Sequence, residues 1–405
     1  MEQQHTSLIK YKLVIQKKNE KQQQKKVDES NFKQPYKIDI NLSSIGFGTY
    51  QGSPTKENDL QMFNALIDSI CTGGVNVIDT SINYRYQKSE RTIGAALSYL
   101  KSQKQIERDQ YFLSSKGGFI PEDYDQKINR QDMIKKLNLS QAEIINNQYS
   151  LSKNFLSQSI EMSLNNLGID TLDLFYLQNS SEQILPVLGR EKYFLLLQKA
   201  FECLEEKIMQ KKINSYGLAT WISFRCSSYM EKFYLNLEDI VNLAENVGGK
   251  NHGFKFIQLP VIQQIQKYLF YLQIKVNLMM PECFAEKYQI IQNEKGEKQE
   301  EYLLKVAKQL QINIITSSPL MNGALINTPL SSQVFECANL GAKHLQFIRS
   351  IPSDAICSTL IGQKKNRHVK MNLEVLSYPK INEDKFWLNL APSLREEQEE
   401  EIGAY

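Results

Sequence analysis

The sequence predicts an α/β chain folded as a single (β/α)8 (TIM) barrel. Three observations carry that expectation: eight short apolar runs rich in β-branched residues, helical repeats between most of them, and polar residues directly after several of the runs. The runs are Ile45–Thr49, Val75–Ile78, Tyr111–Leu113, Leu172–Leu177, Ile213–Leu218, Phe254–Leu259, Ile312–Ile315 and Ala355–Ile361. Each is too short for a buried helix and fits a strand covered on both faces. Strands that alternate with helices form a parallel sheet, and eight such units favour closure; an open doubly wound sheet is the competing architecture.

The helical segments show three- and four-residue apolar spacing. Leu60, Phe63, Leu66, Ile67 and Ile70 share one face, and Gly73-Gly74 can end that helix. Leu156, Ile160, Leu164 and Leu167 repeat the pattern before Gly168. Tyr193–Met209 and Tyr302–Leu310 follow suit.

Three regions result: a low-complexity, basic, Gln/Lys-rich N-terminal extension (1–41), the barrel (42–378) and an acidic C-terminal tail (379–405). Residues 1–37 hold nine lysines against four acidic residues, whereas Glu396–Glu401 is nearly all glutamate. Such runs read as solvated tails or as arms that contact protein partners. A short β-segment at Leu8–Ile15 is expected within the extension. Gly117–Ser150 and Pro281–Gln299 are longer and more polar than a minimal barrel needs and read as two loop insertions. Loops after barrel strands shape specificity, and a tolerated surface insertion is the plain alternative.

Composition excludes several classes. Over 405 residues, 41% hydrophobic and 23% charged content with a net charge of +3 describe a soluble globular protein. The cysteines at 71, 203, 226, 283, 337 and 357 form no CxxC pair and no zinc spacing, so neither a metal site nor a disulfide framework is expected. Free thiols fit a reducing intracellular compartment. No apolar stretch suits a signal peptide or a transmembrane segment. The N-terminal stretch lacks arginine and contains Glu2 and Glu20, a poor mitochondrial presequence. Cytoplasmic location is therefore the expectation, with mitochondria as the alternative. The basic arm lacks interleaved aromatics over most of its length and no recognition motif appears, so nucleic acid is not an expected partner.

The chemistry gathers after the early strands. Asp79 and Tyr84 follow the second run, Ser114-Ser115-Lys116 the third, and Gln178-Asn179 the fourth. In a barrel these positions converge on the C-terminal mouth. A free tyrosine has a pKa near ~10 and is a poor acid at neutral pH. A nearby ammonium is expected to lower it, and a carboxylate would hold that ammonium charged and in place. Such a tyrosine can protonate a carbonyl oxygen while hydride arrives at the carbon. Taken singly, Asp79 could cap a segment and Lys116 could be a solvated strand end; their joint placement favours chemistry.

These segments resemble the aldo-keto reductase family over roughly residues 42 to 378. Ile45-Gly-Phe-Gly-Thr-Tyr50 looks like the family's first strand. Gly74-Val-Asn-Val-Ile-Asp-Thr-Ser-Ile-Asn-Tyr84, with Ser89-Glu90 and Ile93-Gly94, looks like its signature. Ser114-Ser-Lys116, Asp173-Leu-Phe-Tyr-Leu-Gln-Asn179, Tyr216-Gly-Leu-Ala-Thr-Trp221, Ile257-Gln-Leu-Pro260, Ser317-Ser-Pro-Leu-Met-Asn-Gly323 and the pair Ile361-Gly362 with Asn372 follow in family order.

The resemblance implies a (β/α)8 barrel, NADP(H) as cofactor, and a small aldehyde or ketone as substrate. By position it implies Tyr84 as proton donor, Lys116 as its tuning group and Asp79 as the partner of Lys116. It places Gln258, Ala219 and Thr220 at the nicotinamide carboxamide, Thr49, Ser317, Pro319, Leu320, Gly362 and Asn372 around the cofactor, and Lys364, Lys365, Arg367 and His368 at the adenosine phosphates. Such cations suit the extra 2′-phosphate of NADPH, whereas a basic, solvated helix start is the plainer reading. Four departures stand out. Ala219 lacks the usual serine hydroxyl, Ser317 replaces a stacking aromatic, and Met371 stands where glutamate is common. Most important, Gln178 replaces the histidine that donates to the substrate carbonyl. Glutamine keeps an N–H donor but cannot become cationic. The chain therefore reads as a reductase with one altered catalytic position. The alternative is a weakened or inactive barrel serving as a cofactor-binding or structural subunit of a larger assembly, mitochondrial in one version.

Overall fold

A computed structural model describes residues 27–261, 289–292, 297–327, 337 and 339–386. Eight parallel strands close into a barrel: β1 (Ile45–Gly48), β2 (Val77–Asp79), β3 (Phe112–Gly117), β4 (Leu174–Gln178), β5 (Tyr216–Ala219), β6 (Phe254–Pro260), β7 (Asn313–Ser317) and β8 (Ile356–Gly362). They pair in sequence order, and β8 returns to β1 through Leu360 opposite Gly46 and Ile361 opposite Phe47. The closed alternative thus prevails over the open sheet. All eight expected runs contain strand, with edges moved by at most four residues. The largest shift is in β3, which continues through the polar Ser114, Ser115 and Lys116, because partners inside the protein satisfy all three side chains.

Helices cover the outside of the barrel, and their ends obey local chemistry. The helix Lys56–Gly73 starts at Thr55, whose Oγ1 accepts from the Asn58 N–H at 3.3 Å. Lys153–Leu167 starts at Ser152, accepting from Phe155 N–H at 3.2 Å, and stops at Gly168 (φ 67°), a left-handed cap that favours glycine. Tyr193–Met209 is the second part of a longer element, Ser180–Met209, broken at Gly189 (φ 78°, ψ 172°).

The boundary expected at residue 41/42 falls inside a hairpin. Phe32–Lys33 pairs antiparallel with Leu42–Ser43. Ile38, Ile40 and Leu42 pack against Val77, Phe112, Leu174, Phe256 and Ile315 and so close the barrel floor. Alternating apolar residues are few in this stretch, which hid the plug inside a basic segment. Leu8–Ile15 and the rest of residues 1–26 lie outside the described residues, as does Glu396–Glu401. At the other end Phe386 is fully buried and stacks on Phe347 with centroids 5.2 Å apart.

Neither insertion is wholly loop. The first carries the helix Arg130–Lys136, capped by Asn129, and buries Met133 and Tyr149. In the second, Gln289–Gln292 pairs antiparallel with Lys298–Glu301, and residues 281–288 and 293–296 lie outside the described residues. Among the described residues no helix is long and apolar enough to cross a membrane. Cys71, Cys203, Cys226, Cys337 and Cys357 are buried free thiols.

The helices Lys88–Ser102 and Lys153–Leu167 approach closely at Gly94. A β-carbon there would lie 2.6 Å from the Leu167 carbonyl oxygen and 2.7 Å from that of Asn166. Both atoms are backbone and cannot swing aside. Gly94→Ala is expected to lower stability by about 1–3 kcal/mol, read as a lower urea midpoint at unchanged slope. An unchanged midpoint would contradict this packing.

Candidate active site

The C-terminal ends of the strands surround a cleft of about 800 Å³. Register brings the expected residues to one level: Asp79 lies opposite Ser114, Lys116 opposite Tyr176, Gln178 opposite Ala219, and Ala219 opposite Gln258. Of the candidate catalytic and cofactor-binding residues, all border the cleft except Lys364 and Lys365.

At its base Asp79 and Lys116 form a buried ion pair, with side chains 5% and 1% exposed. The other Asp79 oxygen accepts from Ser114 Oγ at 2.7 Å and from Gln258 Nε2 at 2.9 Å. Lys116 Nζ also donates to the Thr80 carbonyl at 2.8 Å. Burial pulls the Lys116 ammonium below its ordinary pKa, and Asp79 opposes that by favouring the charged form.

Tyr84 is half-buried at the end of the segment after β2. Lys116 Nζ lies 4.9 Å from its ring centroid, and Tyr50 meets the ring edge-on at 5.2 Å. The expectation that Lys116 lowers the phenol's pKa is corrected here. Burial first, then the Asp79 charge and Tyr50, push it well above its ordinary value. The ammonium is already paired with Asp79, so what it offers a phenolate is outweighed by burial and by the Asp79 charge.

Gln178 ends the strand next to the one that bears Lys116 and also borders the cleft. Its Oε1 accepts from Ser81 Oγ at 3.2 Å, and its backbone oxygen accepts from the Tyr149 hydroxyl at 2.9 Å. Its amide Nε2 has no hydrogen bond among the described residues. Gln258, expected at a carboxamide, has its Nε2 committed to Asp79. Thr220 is buried, and its Oγ1 has no partner among the described residues. Thr49 Oγ1 donates to the Asp79 carbonyl at 3.1 Å and ties β1 to β2.

The basic segment after β8 divides. Arg367 and His368 border the cleft, and Arg367 Nε donates to His368 Nε2 at 3.2 Å. Burial, then Arg367, Lys365 and Lys364, lower the His368 pKa and keep the imidazole neutral. Lys364 instead donates to Asn58 Oδ1 at 2.7 Å, and Lys365 is the N-cap of the helix Asn366–Leu373. Asn372 donates to Gln363 Oε1 at 3.2 Å.

Several site residues escaped the sequence reading. Ser114 was legible, because positions 114 and 116 of one strand face the same way. Ser81, which holds Gln178, and Gln51, whose amide donates to Asn322 Oδ1 at 2.9 Å across the cleft rim, left no sequence signal. Trp221 and Ile222 are held by their backbone N–H groups on Glu182 Oε1, at 2.7 and 3.1 Å.

The aldo/keto reductase family model matches residues 44–236. The chain is similar to the NADH-specific methylglyoxal reductase of Escherichia coli (strain K12), 26% identical over 198 residues, covering 48% of this chain and 53% of that protein. It thus spans about half the length of this relative. Solved structures share the fold. An aldo-keto reductase from Bacillus halodurans in its holo form has a TM-score of 0.53 at 14% identity, covering 88% of this chain and 94% of that one. An aldo/keto reductase from Klebsiella pneumoniae in complex with NADP and acetate has a TM-score of 0.53 at 17% identity, covering 88% and 92%. Barrel, signature segments and matched region agree in their likeness to the aldo-keto reductases, with the family match confined to residues 44–236.

Removing the Asp79 charge strands a buried ammonium. Asp79→Asn is expected to cost about 3–5 kcal/mol of stability, measured by urea unfolding. A loss below about 1 kcal/mol, the size of an exposed pair, would mean that the pair does not hold the mouth of the barrel.

Proposed function

We propose that the chain reduces small aldehydes or ketones with a nicotinamide cofactor, NADP(H) in preference to NADH. The observation that carries this reading is the convergence of Asp79, Lys116, Tyr84 and Gln178 on one cleft, with Gln178 on the strand next to Lys116. The cleft suits the cofactor: the unpartnered Thr220 hydroxyl is available near the chemistry, and Arg367 offers a cation at another part of the wall. When bound, the reduced cofactor supplies a hydride to the carbonyl carbon.

The chain's own residues do the rest. Tyr84 donates its hydroxyl proton to the carbonyl oxygen. Its raised pKa keeps it a phenol across the neutral range, so the donor is always loaded. Lys116, held by Asp79, offsets the negative charge left on Tyr84. The free Gln178 amide donates a hydrogen bond to the same oxygen. Arg367 favours the 2′-phosphate that distinguishes NADPH. His368 is kept neutral and adds a hydrogen-bonding group without charge. Lys364 and Lys365 take no direct part.

A second reading has its own support. With Gln178 unable to carry charge and Tyr84 far from the pKa of an efficient acid at neutral pH, the barrel could hold cofactor without useful turnover, as a subunit of an assembly. Tyr84 separates the two. Tyr84→Phe is expected to lower carbonyl reduction by at least about 10²-fold and leave the NADPH dissociation constant nearly unchanged; full turnover in that variant sinks the assignment. Arg367→Ala is expected to weaken NADPH about ten-fold, as for one lost charge-assisted contact, and NADH little. Equal losses for both would remove the phosphate role. Because the folded-state pKa of Tyr84 is raised, the reductive rate should stay level from about pH 6 to about pH 9; a decline through neutrality would contradict a phenol donor.

A further inference from the structure

Directly after Tyr84 the backbone takes three consecutive left-handed residues, none of them glycine: Arg85 (φ 50°), Tyr86 (φ 57°) and Gln87 (φ 71°). Side chains disfavour this conformation, and it persists only where the surroundings hold it. What holds it is a continuous chain of charges. Asp59 accepts from Arg85 Nη2 at 2.5 Å and pairs with Lys88 at 2.8 Å. Lys88 pairs with Asp125 at 3.0 Å. Arg91 pairs with Asp125 at 2.8 Å and grips Asp123 with two prongs, at 2.9 and 2.6 Å.

Both Asp123 and Asp125 belong to the Gly117–Ser150 insertion. Its backbone joins the same contact: Gln87 Nε2 donates to the Glu122 carbonyl at 3.2 Å, and the Tyr124 N–H to the Tyr86 carbonyl at 3.5 Å. The two ends of the charge chain are the least exposed, with Arg85 at 1% and Asp123 at 2%, whereas Asp125 in the middle is 44% exposed. The insertion lends the cleft wall only Phe119 among the described residues. Its link to the chemistry therefore runs mainly through the turn rather than through the substrate pocket.

We infer that the Glu122–Asp125 arm of the insertion is a positioning clamp, which locks the Arg85–Gln87 turn and thereby fixes where the Tyr84 hydroxyl sits. Arg91 and Asp123 are its anchoring pair and act through the turn, without touching the reacting atoms. This rests on the reading of Tyr84 as proton donor. A misplacement of about 1 Å in a reacting group can cost 10²-fold in rate, so a clamp remote from the cleft can govern turnover.

The test compares the full-length native chain with Arg91→Lys, which keeps the charge and loses the fork, and with the double variant Asp123→Asn/Asp125→Asn. The readouts are kcat, KM, the NADPH dissociation constant, the urea midpoint, and hydrogen exchange of the amides of residues 85–88. The clamp predicts that exchange of those amides accelerates at least about ten-fold, and that kcat falls between ten-fold and about 10²-fold at unchanged cofactor affinity. Asp123→Glu should recover part of the loss. Unchanged exchange and unchanged kcat overturn the inference. So does a fall in kcat matched by equal losses in cofactor affinity or global stability, because that is a merely structural role. If the double variant does not fold, Arg91→Lys decides. If the native chain has no turnover, the reading of the site fails and the exchange data alone decide the clamp.

Discussion

The Asp79–Lys116 pair is the interaction on which the rest of the site depends. Two charges removed from water lose more hydration than their attraction returns unless further hydrogen bonds complete them. Here β3 supplies Ser114 to the carboxylate, β6 supplies Gln258, and the Thr80 carbonyl after β2 receives the ammonium. One pair therefore ties three strands at the mouth of the barrel. The same pair sets the electrostatics of Tyr84. Burial and then the Asp79 charge keep the phenol protonated at neutral pH, while Lys116 over the ring leaves compensation at hand when it gives up its proton.

The positions of the strands were legible because a strand covered on both faces must be apolar throughout, as in Phe254–Pro260 or Ile356–Gly362. Legibility failed where polar residues are buried by partners distant in sequence. Ser114, Ser115 and Lys116 belong to β3, yet the partner that makes Ser115 admissible, Glu90, lies on a neighbouring helix. The plug at the floor of the barrel failed for a related reason: Ile38, Ile40 and Leu42 are only three apolar side chains in a stretch that composition marks as basic.

The candidate site shows the same division. Asp79, Tyr84, Lys116 and Gln178 could be found because strand ends in a barrel share one mouth. Their environments could not. The pKa direction of Tyr84 depends first on its burial and then on the nearby Asp79 charge, which spacing does not reveal. Arg367 and Lys364 are near neighbours of equal charge, but only Arg367 borders the cleft, because Lys364 is drawn to Asn58 on the helix Lys56–Gly73. The charge chain from Arg85 to Asp123 pairs residues some thirty positions apart, and no local pattern announces it.

Gln178 is where the family resemblance and the chemistry of this chain part. Held by Ser81 and by the Tyr149 contact to its backbone, it is a fixed neutral donor in place of an ionisable one. The account as a whole stands on whether that donor suffices. The direct measurement is NADPH oxidation with a reactive aromatic aldehyde, run on the native chain and on Gln178→His with the alcohol product quantified. The account predicts turnover by the native chain, with the histidine variant faster by up to about 10²-fold, the scale of one oxyanion donor. No NADPH consumption by either protein would contradict it and would leave the barrel without the reductase chemistry assigned to Asp79, Lys116 and Tyr84.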